Sequence, residues 1–176
     1  MIMHKWLTLT TIFFILTGCS TMDVSNYKQS TPEFILEEYF NGKTVAYGVF
    51  ENRSGEVINQ FKVNITGSVE GDVLTLDEDF IYKNGNVDKR LWKINILPDG
   101  LYEGTTNGVI GSASGRRSGN AFNWIYVFDL PVGDTSYKLK FDDWMFLQDE
   151  NVMINRAFVT KWGFKVGSVT LSFYKE

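Results

Sequence analysis

The sequence predicts an all-β protein: one antiparallel meander of about nine strands, closed into a barrel and preceded by one short N-terminal helix. Three observations carry the prediction. From Thr44 onward apolar residues recur with a period of two, and turn clusters rich in Gly, Asn and Asp return every eight to twelve residues. Most connections run three to seven residues, too short for a crossover helix, so neighbouring strands must pair antiparallel. A long meander either stacks as two sheets or closes on itself. Closure removes the exposed edges, and about eight strands already give an interior that holds side chains or one small ligand.

The chain begins with a basic residue, Lys5, and an uncharged apolar run from Trp6 to Leu16. Crossing a bilayer as a helix takes about 20 apolar residues, so the run has the length of a cleaved signal and not of a permanent anchor. It ends in Leu16-Thr17-Gly18-Cys19, which resembles the lipobox of bacterial lipoproteins. The resemblance implies that residues 1–18 are removed as a signal peptide and that Cys19 becomes the lipidated first residue. Several acyl chains, as bacterial lipoproteins carry, anchor stably where one does not. Ser20, in place of the Asp that retains lipoproteins at the inner membrane, implies an outer-membrane destination on the periplasmic face. Residues 19–31 are polar after the cysteine and read as a tether, leaving residues 32–176 as a single domain.

Within that domain Thr31 is the expected N-cap of a helix with Pro32 in its first position, and Ile35, Leu36, Tyr39 and Phe40 form one apolar stripe. Asn41-Gly42 stops it, and so short an amphipathic helix ahead of a barrel is expected to plug or cover it. Strands are expected over Thr44–Phe50, Val57–Thr66, Val73–Tyr82, Asn86–Leu97, Leu101–Val109, Ala121–Leu130, Ser136–Trp144, Val152–Lys161 and Lys165–Tyr174. The glycine-rich stretch Gly108–Gly119 lacks the Gly-Lys-Ser/Thr ending of a phosphate loop and no helical pattern follows it. A flexible hairpin with Arg116 and Arg117 at an exposed tip is the expectation there.

Composition removes many chemistries. The only histidine is His4 and the only cysteine is Cys19, so the domain beyond the lipidation point has neither imidazole nor thiol. Ser-His-Asp and Cys-His catalysis, His- or Cys-based metal sites and disulfides are thereby excluded, and no cofactor or metal is implied. Loss of Lys5 with the signal leaves 16 basic against 21 acidic residues, a formal charge of −5, which speaks against nucleic acid as a partner. Membrane attachment is expected to rest on the lipid alone.

Several charges share a strand phase with apolar neighbours. Glu78 runs with Leu74, Leu76 and Phe80; Arg90 with Trp92, Ile94 and Ile96; Asp143 with Leu139 and Phe141; Arg156 with Ile154 and Phe158. A three-residue turn, Lys83-Asn84-Gly85 with Gly85 left-handed, brings the apolar phases of its two strands together and sets Leu76 opposite Trp92 and Glu78 opposite Arg90. The expectation is an inward charge pair. Four such groups must pair with one another or meet polar ligand atoms, because an isolated buried charge is costly. One outcome is an internal salt-bridge network; the other is a polar floor where Arg90 and Arg156 hold a carboxylate or phosphate head group. Phe122, Trp124, Tyr126 and Phe128 share one phase of a strand, with Trp92, Trp144 and Phe158 on others, as core or as a ligand-receiving face.

The elements Tyr39-Phe40-Asn41-Gly42, Arg90-Leu91-Trp92, Gly119-Asn120-Ala121, Phe141-Asp142-Asp143-Trp144-Met145 and Asn155-Arg156, behind a lipobox, resemble a bacterial lipoprotein family known as domain of unknown function 3833. The likeness spans the mature domain and implies no activity. A helix leading into a Gly-initiated first strand is also similar to the calycin barrels of lipocalins, although the lipocalin Gly-x-Trp is absent, Gly42 being followed by Lys43-Thr44. The expected function is non-enzymatic: a lipid-anchored barrel that binds a small amphiphile or lipid, with Glu78, Arg90, Trp92, Trp124, Tyr126, Asp143, Trp144, Asn155 and Arg156 as candidate contacts. The alternative is a structural or assembly factor of the envelope with a solid core. A glycosidase built on Glu78 and Asp143 ranks last, since an opposing Arg90 lowers the pKa that a general acid needs raised.

Overall fold

The computed structural model describes residues 22–176, so the expected signal peptide over residues 1–18 and the expected lipidation site Cys19 lie outside the described residues. Ten antiparallel strands make one closed barrel in which each pairs with its neighbours in sequence and the last returns to the first. They are β1 (Gly42–Asn52), β2 (Val57–Glu70), β3 (Val73–Tyr82), β4 (Val87–Leu97), β5 (Leu101–Thr105), β6 (Ala113–Ser118), β7 (Ala121–Val132), β8 (Thr135–Leu147), β9 (Val152–Lys161) and β10 (Phe164–Lys175). Closure is made by β1 and β10, in register from Thr44 opposite Lys175 to Asn52 opposite Gly167.

The strand beyond the nine expected is β6, inside the glycine-rich stretch. Its residues Gly115 and Arg116 pair on one side with β5 and on the other with β7, and Arg117 pairs with Phe122 of β7. Gly115 is there because the rings of Phe122 and Trp124 occupy the space a side chain would need, at 2.5 to 2.7 Å from a Cβ. The hairpin tip expected around the two arginines is therefore wrong: both lie in the barrel wall. What remains of the loop folds back on β7, where Ile110 donates to the carbonyl of Val127 and Asp129 donates to that of Gly108.

The helix α1 spans only Leu36–Phe40, and its N-cap is Ile35 rather than Thr31. Tertiary contacts explain the late start. The amide of Phe34 donates to the carbonyl of Gly119, and Glu33 forms an ion pair with Arg117, which together tie residues 33 and 34 to the barrel wall and keep them out of the helix. The helix does plug one end of the barrel. Leu36, Tyr39 and Phe40 are buried there, with Phe34 fully enclosed against Tyr39 and Phe122. Three hydrogen bonds tie the plug to the wall: Tyr102 to Glu37, Tyr39 to the carbonyl of Asn151, and Lys175 to the carbonyl of Glu38.

The polar segment read as a tether is not free of the domain. Val24–Tyr27 form a 3-10 turn started by Asp23, whose side chain accepts from the amide of Ser25. This turn lies outside the barrel, where Val24 and Tyr27 cover Trp144 and Phe146 of β8. Elsewhere the outer face carries charges such as Asp77, Lys89, Lys93, Glu103 and Lys140, all exposed. That is the reverse of the apolar outer band of a membrane-spanning barrel. Among the described residues no helix is long and apolar enough to cross a membrane.

Gly67 on β2 lets the plug dock. A Cβ there would stand 1.8 Å from the backbone oxygen of Phe40, a rigid part of the helix end. Gly67→Ala is expected to destabilise the barrel by about 2 kcal/mol, the scale of overpacking a filled site. Ser68→Ala, on the exposed outer face beside it, should leave the urea midpoint within error.

Candidate functional site

Inside the barrel lies a cavity of about 280 Å³. At the plugged end its walls are Leu36, Phe40 and Phe122; at the far end they are Phe50, Asn59, Tyr82 and Leu130, which sit near the other ends of their strands. The far-end residues are only half-buried, so the cavity leads out opposite the plug. Ten strands are consistent with the space, since the interior widens with strand number and about eight already hold side chains or one small ligand.

Aromatic rings supply most of the wall. Trp92 packs edge-on against Trp124 and Tyr126, with centroids 5.6 and 5.5 Å away, and Tyr126 stacks parallel on Phe141 at 5.1 Å. The single-phase run Phe122, Trp124, Tyr126 and Phe128 does face inward, as the alternation of β7 requires.

The charged candidates divide. Glu78, Arg90, Asp143 and Asn155 all line the cavity, and the register of β3 with β4 sets Glu78 opposite Arg90 and Leu76 opposite Trp92 as expected. The turn between them is of the expected kind, with Gly85 at φ +87° and the Tyr82 amide bonded to the Asn86 carbonyl. Arg156 does not belong. The inward phase of β9 is Met153, Asn155, Ala157 and Val159, all buried, whereas Arg156 is exposed on the outer face, its guanidinium 5.1 Å from the Phe158 ring. Pairing with β8 decides this, because Ala157 sits opposite the inward Asp143. Trp144 is also outside, one residue out of phase with Asp143 and buried under Val24 and Tyr27.

The salt-bridge network expected among the four does not form among the described residues. Opposite one another in register, Glu78 and Arg90 nevertheless make no ion pair. The guanidinium of Arg90 instead lies over the rings of Phe80, at 4.4 Å, and Phe128, at 5.1 Å, and its nearest carboxylate is Asp88 at 4.0 Å. Phe80 and Asp88 are opposite each other, one step nearer the mouth, so the long side chain has turned toward better-hydrated ground.

Deeper down, the amide of Asn155 donates to Asp143 Oδ1 at 2.9 Å, and both residues are closed off, 2% and 7% exposed. Asp143 Oδ2 and Asn155 Oδ1 have no partner. The Tyr126 hydroxyl stands close enough to Asp143 to lower its pKa, but not in a geometry that makes a hydrogen bond. Burial dominates both carboxyls. It pushes Glu78 from its ordinary 4.5 to about 7, against the lowering by Arg90 and with help from Asp143. Asp143 rises from 3.8 to about 6 for the same first reason, resisted by its bond from Asn155. The expectation that Arg90 holds Glu78 low is thus reversed: the cation acts in the expected direction and burial outweighs it.

Sequence reasoning missed Phe61, Tyr82 and Asn59, which form the cavity toward its mouth. The phase of β2 that holds Phe61, Val63 and Ile65 contained the signal, extended back by two residues to Asn59.

Fold and site together define a class: a plugged, ten-stranded β-barrel with an aromatic cavity lined by two carboxyl groups, Asp143 buried and Glu78 half-buried. The chain belongs to the family described as protein of unknown function DUF3833, whose profile matches residues 13–175. No curated protein matches it with significance.

The pKa shifts predict a pH effect of definite sign. A carboxyl whose folded pKa is raised favours folding while it is protonated in the folded state. That contribution is complete below about 4.5 and is lost as pH climbs through about 7. For Glu78 it amounts to about 3–4 kcal/mol at 1.4 kcal/mol per unit. Denaturant unfolding at pH 5 and pH 8 should show Glu78→Gln flattening this decline, with its largest gain over the parent at pH 8.

Proposed function

We propose that this protein is a non-enzymatic binding module, anchored by a lipid on Cys19 at the periplasmic face of the outer membrane, that holds one small amphiphilic molecule in its barrel. The observation that carries the reading is the aromatic cavity, closed by α1 at one end and leading out at the other. Its volume lies just below the roughly 300–1,000 Å³ range of small-molecule pockets, room for one short chain or ring system and less than a two-chain lipid. The end that leads out is fringed with apolar side chains. Trp162, 87% exposed on a two-residue turn with Gly163, and Phe164, 76% exposed, stand at that end of the barrel. Such a fringe suits a site that takes its ligand from a lipid surface.

The protein produced from Ser20 onward, without the anchor, should release a discrete small molecule when native and denaturing mass spectra are compared. A spectrum of bare protein after gentle extraction from its own host would count against a carrier. Attachment has its own test: Cys19→Ser should abolish labelling by an alkyne fatty acid and move the protein out of the membrane fraction. Envelope assembly remains the alternative, and the cavity counts against its solid core.

One observation favours a second reading. Glu78, with its pKa near 7, resembles a general acid, and Asp143 lies in the same cavity. Hydrolysis of aryl glycosides that survives Glu78→Gln and Asp143→Asn unchanged would dispose of it.

A further inference from the structure

The head group the cavity accepts can be read from its unpartnered atoms. Asp143 Oδ2 and Asn155 Oδ1 are both shut off from solvent without a hydrogen bond. The orientation of the Asn155 amide is fixed by its donation to Asp143 Oδ1, which leaves its oxygen as the free atom. Both orphans are therefore acceptors. Glu78 adds a carboxyl on the same inner surface with no side-chain partner among the described residues. Of the nearby donors, the Tyr126 hydroxyl stands beside Asp143, and Arg90, whose guanidinium rests on Phe80 and Phe128, is drawn toward Asp88 at the mouth.

Buried acceptors left unpaired are costly, so a ligand that donates to them is strongly preferred over one that cannot. A carboxylate or phosphate end would bring further acceptors, and negative charge, against two carboxyl groups. The surrounding faces of Trp92, Trp124 and Tyr126 favour a cation for the same reason that they do not favour an anion.

Resting on the binding reading above, we infer that the polar part of the cavity recognises a hydrogen-bond donor, the hydroxyl or amine end of a short apolar molecule, at Asp143 and Asn155 with Glu78 beside them. The anionic head group expected from two inward arginines is replaced by its chemical opposite, since one of those arginines is outside and the other has turned away.

Three probes of matched length test it: octylamine, octanol and octanoate, titrated into the anchorless protein by calorimetry at neutral pH. Octylamine and octanol should bind, and octanoate about tenfold or more weakly, the equivalent of about 1.4 kcal/mol. Asp143→Asn should erase most of the preference for octylamine over octanoate while preserving the fold by circular dichroism. If that variant does not fold, Glu78→Gln should narrow the same ratio. Octanoate binding as tightly as the other two overturns the head-group assignment and leaves the binding reading intact. Binding of none of the three removes the binding reading, and this inference with it.

Discussion

The pairing of β1 with β10 is the interaction on which the rest depends. An antiparallel meander satisfies its own backbone except at its two edges, and here each edge satisfies the other. Closure also creates an inside that bulk water does not bathe. Every inward side chain from Ala46 to Phe173 acquires its environment from that event, and so does the raised pKa of Glu78. The same residue on an open sheet would be an ordinary carboxylate.

Closing a sheet leaves two ends, and the chain treats them differently. One is filled by α1, whose aromatic face continues the core and whose anchors come from the wall itself, through Tyr102, Asn151 and the Arg117–Glu33 pair. The plug relies on glycine at Gly67, where backbone passes against backbone. The other end has no such cover among the described residues, and its half-buried ring residues Phe50 and Tyr82 leave the cavity accessible. A barrel of ten strands with a single plug is thus open by construction, without any strand having to part.

Much of this was legible in the sequence because period-two alternation reports on one face at a time. It located nine strands to within a few residues, the inward run of β7, and the Glu78–Arg90 register, which followed from the length of one turn. It failed where alternation carries little contrast. In β6 the inward residues are Ala113 and Gly115, too small to register as an apolar phase, because the large rings of β7 occupy their share of the interior. In β9 both phases look alike: Met153, Asn155, Ala157 and Val159 against Ile154, Arg156 and Phe158. Only the neighbouring strand chooses between them. Trp144 misled differently, since an outward aromatic is normally exposed, and here Val24 and Tyr27 return from the N-terminal segment to bury it.

Correcting the face of Arg156 changes the chemistry more than the fold. With two arginines and two acids inside, the interior would balance and a salt-bridge network would be a sufficient account of all four. With one arginine, already engaged with aromatic rings near the mouth, the acids are left without counter-charges at depth. Their response is the one burial dictates: both hold their protons to higher pH, Asp143 takes a hydrogen bond from Asn155, and acceptor atoms still remain unpaired. Packing alone gives no reason to retain such groups, since apolar residues of the same size would fill the wall at lower cost. On the proposed binding reading, their presence in an aromatic cavity is accounted for by a partner that supplies the missing donors.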